Sequence, residues 1–381
     1  MIEKQHMEQN SHISRLTWLR GLAALFVVIS HSIRATEVSY FQSTHVSNFS
    51  FFSLLDLGNY GVVLFFALSG CTLYISNYDK ISSNSIIQFY IKRVFRIWPA
   101  FAISLFIYIT FCFIFTDNYG TLHGHWIEKQ FTTPFNASDV VTYLTLSFNV
   151  TGPSGLFNNA YWSLPVEFQY YLIFPLIIVS LKTLGYLGPI LIGASLYLLP
   201  KLSSVELADN SFFALAFSFC GGILVAHHYK GVSYRLNNRV SGSLITLIIL
   251  LIGMITNSYV RLPNWPLISS MSNWNVLLSV VVIYLVLFSD FKFSTSMEDF
   301  FLEYGNISYS TYLYHNLFIG SSVLVLIYFQ VENPIFNLSF VLISSLFLTY
   351  YAAQISYRMI ELPSIALGRT ILRALPRPRT N

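Results

Sequence analysis

Ten apolar stretches, each separated from the next by polar or turn-forming residues, run along most of this chain. They predict helices over residues 16–36, 52–75, 99–115, 161–182, 184–199, 212–226, 244–260, 275–288, 306–329 and 336–357. A helix needs about 20 predominantly apolar residues to cross a bilayer. The gaps carry most of the charge. Residues 1–14 form a polar N-terminal tail. Residues 77–96 hold Lys80, Lys92, Arg93 and Arg96 and read as an inside loop with a short amphipathic lead-in. Residues 117–159 read as a long outside loop, in which the apolar piece 140–150 is too short to span unaided. Lys230, Arg235 and Arg239 mark a second inside loop, and 290–303 a third. The tail RALPRPRTN is basic and broken by proline, so it is expected to be disordered. Only four of the 21 Lys and Arg residues (Arg34, Lys129, Lys201 and Arg261) fall on the outer side in this arrangement. The positive-inside rule then puts both termini in the cytosol. The chain divides into a cytosolic tail (1–14), a membrane domain (15–362) and a basic cytosolic tail (363–381). No internal repeat is evident.

Composition agrees. The sequence is 54% hydrophobic, 17% aromatic and 10% charged, which excludes an ordinary soluble protein. The expected fold class is an all-α polytopic integral membrane protein of about ten transmembrane helices. A net charge of +4 bears on where the loops lie and gives no reason to expect a nucleic-acid partner. Cys71, Cys112 and Cys220 all lie in apolar runs. They offer no disulfide framework and no metal-ligand spacing, and read as small packing residues. His123, His125, His227 and His228 sit in loop regions with no further ligand at useful spacing, so no metal and no bound cofactor are expected.

Ionisable residues inside apolar helices are the chemical signal, because each is costly there. The first helix carries Arg20 and His31, eleven positions apart. Eleven residues turn through roughly three full turns, so both side chains share one face, ~16 Å apart along the axis. The pair lines one path into the membrane, unless Arg20 only snorkels to the headgroups and His31 is an interior hydrogen-bonded histidine. A cleaved signal peptide is a poor fit, given the mixed-charge start and the ionisable residues in the apolar run. In KRVFR (Lys92 to Arg96), Arg93 and Arg96 lie three apart on one helical face and suit phosphate oxygens, or else form an ordinary positive anchor. Glu167, behind Trp162 and Ser163, is either a helix-dipole carboxylate or a group acting on a hydroxyl acceptor. Tyr309, Tyr312 and His315 make a polar stripe that serves a site or ties helices together. Glu361 and Pro363 read as a structural turn.

Taken together, these stretches resemble the integral-membrane acyltransferase family 3, which includes O-acetyltransferases of bacterial surface sugars. Arg20 with His31, FFALSG (Phe65 to Gly70), KRVFRIWP (Lys92 to Pro99) and WSLPVE (Trp162 to Glu167) carry the likeness. YYLIFP (Tyr170 to Pro175), GNISYSTYLYH (Gly305 to His315) and ELP (Glu361 to Pro363) complete it, in the family's order, from the first helix to the tenth. The resemblance implies transfer of an acetyl or other short acyl group from cytosolic acyl-coenzyme A to a sugar hydroxyl of O-antigen, capsule or exopolysaccharide. The resemblance allows a lipid-linked acceptor and implies a bacterial inner membrane as the setting. It also implies His31 as catalytic base, Arg93 and Arg96 as donor-phosphate ligands and Arg20 on the donor path. Glu167 is a second catalytic candidate. Trp162, Ser163, Tyr309, Tyr312 and His315 are acceptor-site or structural candidates. Some relatives carry a fused outer esterase-like domain. None is expected here, because the sequence ends soon after the tenth helix. A covalent acyl-histidine relay stands beside direct transfer. Two other readings are open: a transporter or flippase for a sugar or anion, and an acyltransferase acting on a non-carbohydrate acceptor.

Overall fold

The computed structural model describes residues 2–37, 54–81, 85–119, 131, 133–153, 155–202, 211–256, 271–289 and 294–374. Among them there is no β-strand. The elements in order are α1 (Ile2–Glu37), α2 (Gly58–Asn77), α3 (Ile86–Tyr119), α4 (Ala137–Leu144) and α5 (Phe148–Thr151). A 3-10 turn, Asn159–Trp162, leads into α6 (Ser163–Leu184), followed by α7 (Leu187–Leu202). A single turn precedes α8 (Ala216–Gly231), and α9 (Asn238–Thr256) and α10 (Met271–Phe288) follow. The last elements are α11 (Thr295–Asn306), α12 (Ser308–Tyr328), α13 (Pro334–Ser356) and α14 (Leu362–Ala374).

Among the described residues, seven helices are long and apolar enough to cross a membrane. Three shorter apolar helices, Leu187–Pro200, Asn238–Met254 and Trp274–Phe288, accompany them. Each matches one of the ten expected stretches, so the chain is an all-α polytopic membrane protein. Burial separates centre from periphery. The span of α12 is 83% buried and that of α2 78%, against 28% for Pro334–Ala374. The most buried of these spans, α12, is also rich in hydroxyl side chains and carries His315. Apolar surface gains nothing by leaving lipid, so such helices are held by close backbone approach and interhelical hydrogen bonds. Gly70 and Gly222 make that approach possible between α2 and α8. A Cβ on Gly70 would overlap the Phe219 carbonyl, and one on Gly222 the Ala67 carbonyl. Gly21 and Gly305 do the same for α1 and α11.

Several boundaries differ from expectation. The third helix starts at Ile86 and keeps Pro99 in its interior, so KRVFR is helical rather than in a loop. Proline reads as a helix start in a soluble protein, but spanning helices tolerate it because neighbouring groups re-satisfy the backbone. Tyr309 Oη donates to the Ile97 carbonyl at 2.8 Å, two residues before that proline, whereas the carbonyl left free by Pro99 is that of Phe95. The stretch 137–151 is not an open loop. It forms α4 and α5, with a capping box in which Asn136 and Asp139 satisfy each other's backbone N–H groups. Residues 295–303 belong to α11, and the basic C-terminal segment is helical as far as Ala374. Gly368 of α14 lies against the Phe95 ring of α3, so this end is packed on the bundle. The N-terminal segment is helical from Ile2 onward. His123, His125, Lys129, Arg261 and residues 375–381 lie outside the described residues.

Candidate functional site

Two cavities open between the central helices. One is a chamber of about 80 Å3 lined by all three arginines singled out in the sequence. Arg20 enters it from α1, and Arg93 and Arg96 enter from one face of α3. The guanidinium of Arg93 lies between two rings, 5.7 Å from the centroid of Phe89 and 5.7 Å from that of Tyr171. Its buried Nε has no hydrogen-bond partner. A buried donor without a partner costs about 1–3 kcal/mol, so this cradle is incomplete as it stands. Tyr171 Oη donates to Glu167, which also lines the chamber. Glu361 sits in the π-helical turn Tyr357–Glu361 and accepts from Ser310, whose Oγ in turn accepts from Ser356 Oγ at 2.8 Å. Three guanidinium groups therefore face two nearby carboxylates. The excess of positive charge, with an orphaned donor among rings, suits the phosphates of an anionic ligand.

The second cavity, about 270 Å3, holds His31. Its wall combines Val27, His31 and Arg34 of α1 with Asn59 and Val62 of α2, and Asn159 and Trp162 of the 3-10 turn. Arg34 pairs with Asp56 at 3.0 Å, and Ser30 Oγ donates to the same carboxylate. The imidazole of His31 stacks on that of His315, with centroids 5.0 Å apart and planes 27° from parallel. His31 Nδ1 lies 2.9 Å from His315 Nε2 and 2.9 Å from Asn316 Oδ1. Asn316 Nδ2 donates to Asn158 Oδ1 at 2.7 Å and to Asn159 Oδ1 at 2.8 Å.

The two cavities share two wall residues, Val62 and Tyr312. Tyr312 is pinned: its Oη donates to the Ala160 carbonyl at 2.5 Å, so Ser163 Oγ donates to that Oη at 2.7 Å. Phe65 meets the same ring edge to face, with centroids 6.3 Å apart. The expected site residues thus divide. Arg20, Arg93, Arg96, Ser163, Glu167 and Tyr309 line the arginine chamber, and His31 and Trp162 line the other. His315 lies behind His31, and Tyr312 stands between the chambers. Glu167 does not reach His31. Its partner is Tyr171, on the arginine side.

Asn158, Asn159, Asn316 and Asp56 were not anticipated from the sequence. A faint signal exists: Asn316 is an amide inside an apolar helix, directly after His315, and Asn158–Asn159 directly precede the WSLPVE stretch. The backbone strengthens it. Phe157 has φ 61° and the Asn158 N–H donates to the Leu156 carbonyl at 2.6 Å, a γ-turn that is uncommon for a bulky residue. Phe157 is held there by edge contacts with Phe135 and Tyr143. The strained turn delivers Asn158 to the network. His227 and His228 bond Tyr74 and Tyr186 at 2.8 and 3.3 Å, and among the described residues no group of three possible ligands could hold a metal ion.

Comparison with known proteins adds a lineage. Residues 13–354 match the family model described as an acyltransferase domain. The O-acetyl transferase of Shigella phage Sf6 is 27% identical over 193 residues, covering 48% of this chain and 52% of that protein. The O-acetyltransferase OatA of Staphylococcus aureus is 23% identical over 378 residues, covering 86% of this chain and 56% of that protein. The chain spans about half the length of these curated relatives. No solved structure matches it.

Proposed function

The chain belongs to this acyltransferase family, and on that footing we propose that it transfers an acetyl or other short acyl group from acyl-coenzyme A to a hydroxyl of a surface carbohydrate. The observation that carries the reading is the pair of cavities meeting at Val62 and Tyr312, one rich in guanidinium groups and the other built around an imidazole. The donor's phosphates would sit with Arg93 and Arg96, and its acyl end would extend past Arg20 toward the shared wall. Arginine forks fit phosphate oxygens, and the orphaned Arg93 Nε supports an anion there. The acceptor would enter the His31 cavity, where the Trp162 indole and the Asn59 and Asn159 amides offer what a sugar ring uses, an apolar face beside hydrogen-bonding groups. The relatives' names describe O-acetyl transfer, which supports a hydroxyl acceptor, and the carbohydrate class rests on the family resemblance.

In direct transfer, the acceptor oxygen attacks the thioester carbonyl carbon while His31 takes the hydroxyl proton. The tetrahedral intermediate collapses with the C–S bond breaking. The proton held by His31 passes to the departing thiolate, leaving an ester and free coenzyme A. His31 ends neutral, ready for another cycle. On the charge pattern, the arginine chamber would face the cytosol and the His31 cavity the outer half of the membrane, and the family resemblance supports a bacterial inner membrane as the setting. The lineage and this division of labour favour transfer over a transporter.

The test uses purified protein in lipid nanodiscs with radiolabelled acetyl-coenzyme A and a crude surface-polysaccharide extract, wild type beside His31→Ala. Label entering the extract, with stoichiometric release of coenzyme A and dependence on His31, supports the proposal. A wild-type protein that binds no acyl-coenzyme A of any chain length sinks it.

A further inference from the structure

Two hydrogen-bond chains end on His31 Nδ1, and each starts from backbone groups whose polarity is fixed. In the first, His315 Nδ1 lies 2.9 Å from the Tyr312 carbonyl oxygen and 3.2 Å from that of Thr311. Carbonyl oxygens only accept, so His315 Nδ1 carries a proton. The neutral His315 ring then turns a lone pair from Nε2 on His31 Nδ1. In the second, the Ala160 N–H donates to Asn158 Oδ1 at 2.9 Å, and Asn158 Nδ2 donates to the Leu313 carbonyl at 3.1 Å. That fixes which end of the Asn158 amide is oxygen. Asn316 must therefore present its Nδ2 to Asn158 and its Oδ1 to His31.

The two chains agree. His31 Nδ1 meets an acceptor on both, so it is the donor, and the ring's lone pair is on Nε2. Reversing either amide sets oxygen against oxygen at one end. Asn158, His315 and Asn316 are each 0% exposed, so water cannot relieve such a clash. Among the described residues none bonds His31 Nε2, and the His31 side chain lines the open cavity.

We propose that Asn316, Asn158 and His315 are positioning residues that hold His31 as the Nδ1–H tautomer and so keep Nε2 as the basic nitrogen. This rests on the reading of His31 as the base. During transfer Nε2 gains the acceptor's proton, and the imidazolium continues to donate from Nδ1 to Asn316 and His315. The proton then leaves from Nε2 to the thiolate sulfur. No proton passes along the amide chain, whose role is orientation. The free imidazole side chain favours the opposite tautomer, so the network must impose this one.

The test is solid-state NMR on the full chain in lipid nanodiscs, labelled with 13C,15N-histidine, with the His31 signals identified by their loss in His31→Gln. The expected wild-type result is a protonated Nδ1 and an unprotonated Nε2. Asn316→Leu is expected to shift His31 toward the Nε2–H form and to lower kcat by about tenfold to hundredfold, part of what general-base catalysis contributes, with the KM for acyl-coenzyme A unchanged. Asn316→Asp in its protonated form keeps an oxygen for Nδ1 and one O–H to donate toward Asn158 or Asn159, so the Nδ1–H tautomer and part of kcat are expected to return. A wild-type His31 protonated on Nε2 overturns the proposal, even if Asn316→Leu fails to fold. So does an Asn316→Leu protein with unaltered tautomer and kcat. An Nδ1–H signal in wild type beside an active His31→Ala protein would remove the base role and leave the tautomer assignment standing, which separates the two readings.

Discussion

The arginine chamber and the His31 cavity share a wall, yet they are built on opposite principles. The first is a concentration of charge: Arg20, Arg93 and Arg96 set against Glu167, with Arg93 wedged between rings and its Nε without a partner. The second holds its ion pair, Arg34–Asp56, in the same cavity as His31, while the imidazole's own hydrogen-bond partners are the neutral His315 ring and the Asn316 amide. An anion can be attracted by charges whose exact geometry is loose, and an unsatisfied donor improves the bargain. A base must carry its proton on the correct nitrogen, and that requires every partner to be fixed. The strained turn at Phe157, the buried amides and the backbone carbonyls of α12 all serve the second need. Charge selects the ligand in one half, and hydrogen-bond direction prepares the chemistry in the other.

Variants that spare one half test this contrast. The largest effect is expected from His31→Ala: transfer falls by about 10²–10⁴, the usual contribution of general acid–base catalysis, while acyl-coenzyme A binding, measured by calorimetry, stays near wild type. Loss of donor binding in that variant would show that the halves are not separable. Arg93→Ala with Arg96→Ala is expected to do the reverse. Each charged hydrogen bond is worth about 1.5–3 kcal/mol, so donor affinity drops at least tenfold while the tautomer of His31 is untouched. Unchanged affinity would return the cluster to a topology anchor.

Tyr312→Phe attacks the shared wall. It leaves the Ala160 carbonyl and the Ser163 hydroxyl without their bond to Tyr312, a cost of about 1–3 kcal/mol. A lower inactivation temperature and greater uncoupled hydrolysis of acyl-coenzyme A are expected. Equal stability and tight coupling would argue that Val62 alone separates the chambers. Asp56→Asn is expected to matter least. Its pair with Arg34 is partly exposed, 36% and 20% for the two side chains, so about 1 kcal/mol or less is at stake. The acceptor KM would rise by less than about tenfold and kcat would hold, whereas a collapse of kcat would draw this ion pair into the base's own network.

The ten apolar stretches and the charged residues within them could be read directly, because a membrane span imposes length and composition on contiguous residues. For the same reason Arg20, His31, Arg93 and Arg96 stood out: an ionisable side chain in an apolar run is visible wherever it lies. Local signals misled at Pro99, which lies inside a helix, and at 137–151 and 295–303, which form helices too short to span a membrane. Glu167 was visible too, but its distance from His31 was not, since no spacing within one helix reports which cavity a side chain enters.

The sequence by itself determined that this chain is a helical membrane protein, which residues carry its charge and, through their order, its family. Only the tertiary structure decided that these residues split between two cavities and that Tyr312 stands between them. It alone brought Asn158 and Asn316 beside His31 and His315. The reason lies in separation along the chain. Hydrophobic length and helical period are properties of neighbouring residues. The proton on His31, by contrast, is set by partners hundreds of residues away, brought into register by close helix packing and by one strained turn.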